Sequence, residues 1–295
     1  MAREAQSQRI AGGAPYEEPR NWLAAFGKYL ILLLFAALSL YPLLLIISTS
    51  LKDPLDVTAD PFALFSSFNI VNFYDAWTLG GFGGYFWNTV VITAITVASV
   101  VALSSLAGYA LARFQFPGND IVFFTFIVGL MIPFFSVMIP LFYELKSLSL
   151  LGTKAAVILP AIAGASGFGL PLGVFLMRSF YMDLPEELAD AARVEGANEF
   201  QVFSRIMLPL SMPGVAVLAV LVFFQTWNNF LLPLVYLQGS ENQMLASGLY
   251  LFAGGRTGEY ELAAAGSLIM TVPVVVFFLI FQRYFIRGLT AGAFK

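Results

Sequence analysis

The sequence predicts an all-α, polytopic membrane protein with six transmembrane helices. Hydrophobic residues make up 59% of the 295-residue chain and charged residues only 11%, against about 25% charged in an ordinary soluble domain. Mean hydropathy is +0.82. Six apolar segments, none containing Lys, Arg, Asp or Glu, each come near the roughly 20 residues that cross the hydrocarbon core as a helix.

Residues 1–28 form a polar tail with Gly12-Gly13-Ala14-Pro15 and Glu17-Glu18, a composition that predicts disorder. The spans follow over Tyr29 to Ile47, Phe86 to Ala112, Ile121 to Phe142, Ala155 to Met177, Pro213 to Tyr236 and Leu262 to Phe281. The first run is longer than the apolar stretch of a signal peptide and closes on no small-x-small site, so cleavage is not expected. Eleven of the 15 Lys and Arg fall on one side if both termini are cytoplasmic, leaving Lys52, Lys146, Lys154 and Arg256 outside. The positive-inside rule therefore predicts that orientation. It places a long loop, Thr49 to Tyr85, and a Gly-rich one, Gln238 to Glu261, outside, and one long loop, Arg178 to Met212, inside.

That inner loop predicts two short helices across a bend. Asp183 with Glu186 reads as a capping box with Pro185 in the first turn, so a helix is expected to start near Leu184. Leu188, Ala191, Ala192 and Val194 supply a narrow apolar stripe, with Glu187, Asp190 and Arg193 off it. Gly196 suits the left-handed residue that ends a helix. Phe200, Phe203, Ile206 and Met207 are expected to bury the second helix, and Leu208-Pro209 with Pro213 to break into the fifth span. An interfacial helix under lipid headgroups fits the amphipathic pattern equally. The segment is acid-rich, however, and anionic headgroups would repel it, which favours a protein partner.

Several chemistries are excluded or disfavoured. The chain has no Cys and no His, which removes disulfides, cysteine nucleophiles, imidazole bases and the commonest zinc sites. A net charge of −3, scattered along the chain, gives no reason to expect nucleic acid. No G-x-x-x-x-G-K-[ST] occurs, and Gly152-Thr153-Lys154 lies in an outer loop, so no phosphate cradle is expected. The spans lack the carboxylates that ion-coupled transporters use as relays. A membrane-bound transferase would need a metal-binding acidic group, and Asp183 to Glu199 has no D-x-D pattern. An autonomous channel would conduct without partners.

Within the spans the polar residues are neutral. Gln225, Trp227, Asn228 and Asn229 cluster in the fifth, and amides with an indole can bond sugar hydroxyls and stack on ring faces. The same residues can instead tie helices together. The fourth span is interrupted across Gly164, Ser166, Gly167, Gly169 and Pro171, through residues that either line a cavity or seat helix packing.

The spacing of Asp190-Ala191-Ala192, Gly196 and Ile206-Met207-Leu208-Pro209 resembles the EAA loop of ABC importer permeases, with Asp190 standing where the family usually has Glu. Trp227-Asn228-Asn229-Phe230-Leu231-Leu232-Pro233-Leu234 and the run from Phe281 to Lys295 resemble the maltose-type second permease of the carbohydrate branch. The likeness covers roughly residues 29–295. It implies a type I importer permease fold, with a transmembrane domain over 29–295 and a cytoplasmic coupling loop over 183–209. It implies ATPase-coupling roles for Glu187, Asp190, Ala191, Ala192, Gly196, Ile206, Leu208 and Pro209, and a non-catalytic chain without its own cofactor, since ATP and Mg would sit in a partner. The partners implied are a second permease subunit, a cytoplasmic ATPase dimer, an extracytoplasmic substrate-binding protein and membrane lipid. The C-terminal run would reach the ATPase pair and the loop from Gln238 to Glu261 the binding protein. The location implied is a prokaryotic cell membrane, and the cargo a carbohydrate, with another neutral or phosphorylated solute such as a glycerol phosphate ester as the alternative.

Overall fold

A computed structural model of the chain describes residues 22–239, 242–255 and 259–293, without the side chains of 23–25, 255 and 283–293. Most of the expected N-terminal tail, parts of the Gly-rich loop and the side chains of the C-terminal run lie outside the described residues. Every regular element described is helical.

The described residues up to 46, from Trp22, form a unit by themselves. They belong to α1 (Trp22–Ser50), which starts before the expected Tyr29. Its apolar side chains lie on all sides, as a helix made for lipid requires.

The second unit begins at Ile47. It opens with a small cap carrying α2 (Pro54–Ala59) and α3 (Val71–Thr78). The cap is closed by polar bonds: buried Lys52 donates Nζ to the Asp60 and Pro61 carbonyls at 2.9 and 3.4 Å, and Asn72 donates Nδ2 to the carbonyls of Ser50 and Lys52.

At the centre of this unit is α4 (Phe82–Arg113). After it come α5 (Asn119–Met131), α6 (Phe134–Ser147), α7 (Ala155–Ala163), α8 (Leu170–Met182), α9 (Glu187–Val194) and α10 (Glu199–Val202). A π-helical turn over Phe203–Met207 leads to α11 (Leu208–Leu210), α12 (Met212–Trp227), α13 (Leu231–Tyr236), α14 (Leu245–Gly255) and α15 (Tyr260–Ala293). Helix α4 packs on α7, α8, α12 and α14. Its crossing with α8 is close because Gly173 meets Ser104: a Cβ on Gly173 would come within 2.8 Å of the Ser104 Cβ.

The spans are not six continuous rods. Among the described residues Phe26–Ser50, Phe82–Arg113 and Tyr260–Gln282 are long and apolar enough to cross alone, and two bent pairs raise the number to five. One pair is α5 with α6, bent by 100°. The break falls at Ile132-Pro133, where the proline forces the preceding residue out of the helical region, and Ile132 has ψ 113°. The expected fourth span is split into α7 and α8, and the fifth breaks between α12 and α13 at Asn228 to Phe230.

Candidate functional site

Two places carry the residues the sequence singles out: an elbow around α9 and α10, and a cleft where the broken helices meet.

The elbow starts later than expected. Helix α9 has Glu186 at its N-cap without a side-chain cap, and the Ala189 and Asp190 amides donate to the Glu186 carbonyl. The predicted start at Leu184 fails because Leu184 precedes Pro185, whose ring disfavours helical backbone at that residue; the Leu184 carbonyl accepts from Arg113 Nη2 at 2.6 Å. Arg113 Nη2 also donates to the Tyr181 carbonyl at 2.7 Å.

The buried stripe also differs. Ala189 and Ala192, three apart, face inward at 1% and 9% exposure and join one core with Val100, Tyr109, Met177, Tyr181, Met207 and Leu218. Leu188, Ala191 and Val194 face outward, Val194 at 88% exposure. The inward positions are small because the helix sits close on that core. Glu187 and Asp190 are exposed beside the outward apolar face.

Gly196 ends α9 as predicted. Its φ is +90°, its amide donates to the Arg193 carbonyl, and the Ala197 amide reaches back to Ala192, the two bonds of a Schellman motif. Across the bend, Asn198 and Gln201 form a reciprocal capping box at 2.9 Å each way. Arg193 holds both sides: its guanidinium bonds Asp190 at 2.7 Å and Glu199 at 2.8 and 3.2 Å. Those bonds keep the Glu199 carboxyl below the usual carboxylate range and raise the Arg193 guanidinium.

Val202, Phe203 and Met207 are buried, and Ile206 and Leu208 are half-buried against the same core. Phe200, expected inside, is 70% exposed, because the capped turn points it away from the core. Pro209 is exposed. A cleft of about 400 Å³ opens at the bend, lined by Ala192, Glu195, Gly196, Ala197, Gln201, Arg205 and Ile206.

The second place is a cleft of about 440 Å³, lined by Phe134, Phe135, Ser166, Gln225, Asn228, Asn229 and Phe230 with two leucines. The breaks at Ile132-Pro133, between α7 and α8, and between α12 and α13 all open onto it. Gln225 spans the gap between α7 and α8, donating Nε2 to the Ser166 carbonyl and accepting the Phe168 amide at 2.9 Å. Trp227 is buried, donates its indole N–H to the Met270 carbonyl of α15 at 3.1 Å, and does not line this cleft. Asn228 is exposed and bonds the Phe224 carbonyl, and Asn229 caps α13 through the Leu232 amide. Gln225 and Trp227 thus tie separate segments together, whereas Asn228 bonds its own helix and Asn229 the start of the next, and Gln225, Asn228 and Asn229 also face the cleft.

Sequence reasoning missed Tyr109, Tyr181 and the structural part of Arg113, read only as an orienting charge. No local spacing tells that Arg113 meets carbonyls 68 and 71 residues further on. The Asn198 to Gln201 box was readable from its spacing alone.

The profile of the family described as "Binding-protein-dependent transport system inner membrane component" matches residues 104–291. The arabinooligosaccharides transport system permease protein AraQ of Halalkalibacterium halodurans is 38% identical over 279 residues, covering 93% of this chain and 96% of its own. The trehalose transport system permease protein SugB of Mycobacterium tuberculosis is 33% identical, covering 87% and 93%. A crystal structure of a bacterial ABC transporter involved in the import of the acidic polysaccharide alginate has the same fold, with a TM-score of 0.77 at 22% identity over 92% of this chain and 100% of that one.

Proposed function

The chain belongs to the binding-protein-dependent transport system inner membrane components, and from that premise we propose that it is one permease subunit of an ATP-driven importer for a neutral carbohydrate, with an oligosaccharide as cargo. It forms half of a pore with a second permease. Two ATPase subunits, which hold ATP and Mg, act from the cytoplasmic side, where both termini lie, and a substrate-binding protein delivers solute from the other.

The observation that carries this reading is the two-sided elbow. Its small-residue face is built into the core of the pore helices, while Leu188, Val194 and Phe200 are left bare beside Glu187 and Asp190. Exposed apolar residues rimmed by charge mark a docking surface, and one anchored to the core can pass on a push. Ala191 and Gly196 give close approach at that surface.

The cleft supports a neutral cargo. Its lining offers amides, one serine, main-chain groups and aromatic rings, with no charged side chain. Amide and ring together suit sugar hydroxyls and faces. A glycerol phosphate ester would ask for a cation there, and the described lining has none. The names of the arabinooligosaccharide and trehalose relatives point the same way.

The test is reconstitution of the complete complex with its binding protein. Hydrolysis stimulated by neutral oligosaccharides and silent with glycerol phosphate esters is expected. Stimulation by the phosphorylated solutes alone, or a chain that co-purifies with no ATPase subunit, overturns the proposal.

A further inference from the structure

One stretch of α4 grips both sides of the elbow. Tyr109 and Arg113 lie four residues apart, on one face of the helix. Arg113 takes the carbonyls of Tyr181 and Leu184, on the chain entering α9. Tyr109 takes the exit: its ring lies 5.2 Å from Phe203 and 5.4 Å from Tyr181, and its hydroxyl donates to Glu199 Oε2 at 3.5 Å. The neighbouring Leu111 carbonyl accepts from Arg178 Nε of α8 at 3.3 Å.

The same helix is tied at its opposite end. Asn88 donates Nδ2 to the Gln243 carbonyl at 3.1 Å, and Thr89 Oγ1 accepts from the Leu245 amide at 2.8 Å. Thr89 and Arg113 stand roughly 35 Å apart at about 1.5 Å per residue. Helix α4 therefore links the elbow to the segment opening α14 without a break.

Resting on the permease reading, we infer that Tyr109 and Arg113 are the positioning pair through which movement of the elbow reaches the pore. The alternatives on the elbow itself are poorer. Apart from the Tyr109–Glu199 bond, the elbow's inward contacts are the apolar side chains of Ala189, Ala192, Val202, Phe203 and Met207, which slide, whereas a guanidinium on two main-chain carbonyls fixes direction as well as distance. A push on α9 moves the Tyr181 to Leu184 segment, and Arg113 carries that displacement into α4. Neither residue touches the outward face, so neither takes part in binding the ATPase.

The experiment uses the complete complex with its binding protein. Three quantities are read for wild type, Arg113→Ala, Arg113→Lys and Tyr109→Ala: the ATPase subunits retained on purification, the hydrolysis stimulated by loaded binding protein, and solute moved per ATP. Arg113→Ala and Tyr109→Ala are expected to retain the ATPase subunits but to lose stimulation and at least tenfold in solute per ATP. Arg113→Lys, keeping a charge but not the planar guanidinium, recovers part of it. Unchanged solute per ATP in the alanine variants overturns the inference. So does failure of all three variants to assemble, or a fall of uptake and hydrolysis in the same proportion, since both describe a staple of the fold. A wild-type complex without ATPase subunits or stimulated hydrolysis sinks the permease reading instead, before any variant is compared.

Discussion

Arg193 and Glu199 are joined by two hydrogen bonds, Nε to Oε1 at 2.8 Å and Nη2 to Oε2 at 3.2 Å, across the bend at Gly196. The fork-to-fork geometry sets the angle between α9 and α10 as well as their separation. Asp190 shares the same guanidinium from within α9, so its carboxylate is already oriented by the chain itself.

The pair gives a pH prediction with a definite sign. The Glu199 carboxyl is depressed by Arg193, so its stabilisation is full above the unfolded carboxylate value of about 4.3 and is lost as pH falls through the lower folded value. Transport should therefore show no step from this pair between about pH 5 and 8. Both side chains are partly exposed, so the bridge contributes only about 0.2–1 kcal/mol. Glu199→Gln should leave membrane levels unchanged while amides from Glu195 to Val202 exchange faster. Unaltered exchange there would show that the bridge does not hold the bend.

The elbow also shows where sequence was informative and where it was not. Gly196 could be read because left-handed backbone is a local demand, and the interruption from Gly164 to Gly169 because glycines and a proline cluster there. The break at Ile132 was equally written in Pro133, but the surrounding apolar run hid it. The capping box at Asp183 went wrong because Leu184 precedes Pro185, which holds that residue out of the helix and delays the start to Glu187. The apolar stripe went wrong because hydrophobicity ranked Leu188 and Val194 above Ala189, whereas the space beneath α9 admits only alanines. The polar residues of the fifth span were found, but the partners of Gln225 at Ser166 and Phe168 and of Trp227 at Met270 follow from the packing of several elements.

Gly196 is open space: a Cβ there would meet nothing within 4 Å. Any cost of substitution is thus conformational, about 1–2 kcal/mol for a left-handed non-glycine residue, and least for Asn. Uptake at equal membrane level should fall in the order Gly, Asn, Ala, Val. Equal uptake by the valine variant would remove the conformational explanation.

Gln225 bonds two points within the α7–α8 break, Ser166 and Phe168, with opposite ends of one amide. Gln225→Ala deletes both bonds, at about 0.5–1.5 kcal/mol each, and should lower uptake and thermal stability together. Gln225→Glu keeps the size but turns an oxygen towards the Ser166 carbonyl. The glutamate variant is therefore expected to be the more damaged of the two near neutral pH, and a glutamate variant better than alanine would refute this placement of the amide.

Gly173 tests the central crossing. An alanine Cβ there would overlap the Ser104 side chain, and overpacking of this kind costs about 1–3 kcal/mol. The melting temperature in detergent should drop by several degrees. Adding Ser104→Gly removes the obstructing atoms and should recover most of the loss, whereas additive effects of the two changes would mean that the helices do not meet at this pair.

The outward face of the elbow carries the final prediction. Val194 and Phe200 are exposed at 88% and 70%, and they lie on opposite sides of the bend, so a partner covering both would read its angle. Neither belongs to the core that holds α9 and α10, and replacing them leaves the fold intact. Val194→Asp adds charge to an acid-rich face and Phe200→Ala removes an aromatic anchor, whose loss at a docking centre commonly costs 2 kcal/mol or more. Both variants should reach the membrane at normal level with the second permease bound, yet lose ATPase subunits on purification at high dilution. Full retention of those subunits by the double variant would move the docking surface off this face.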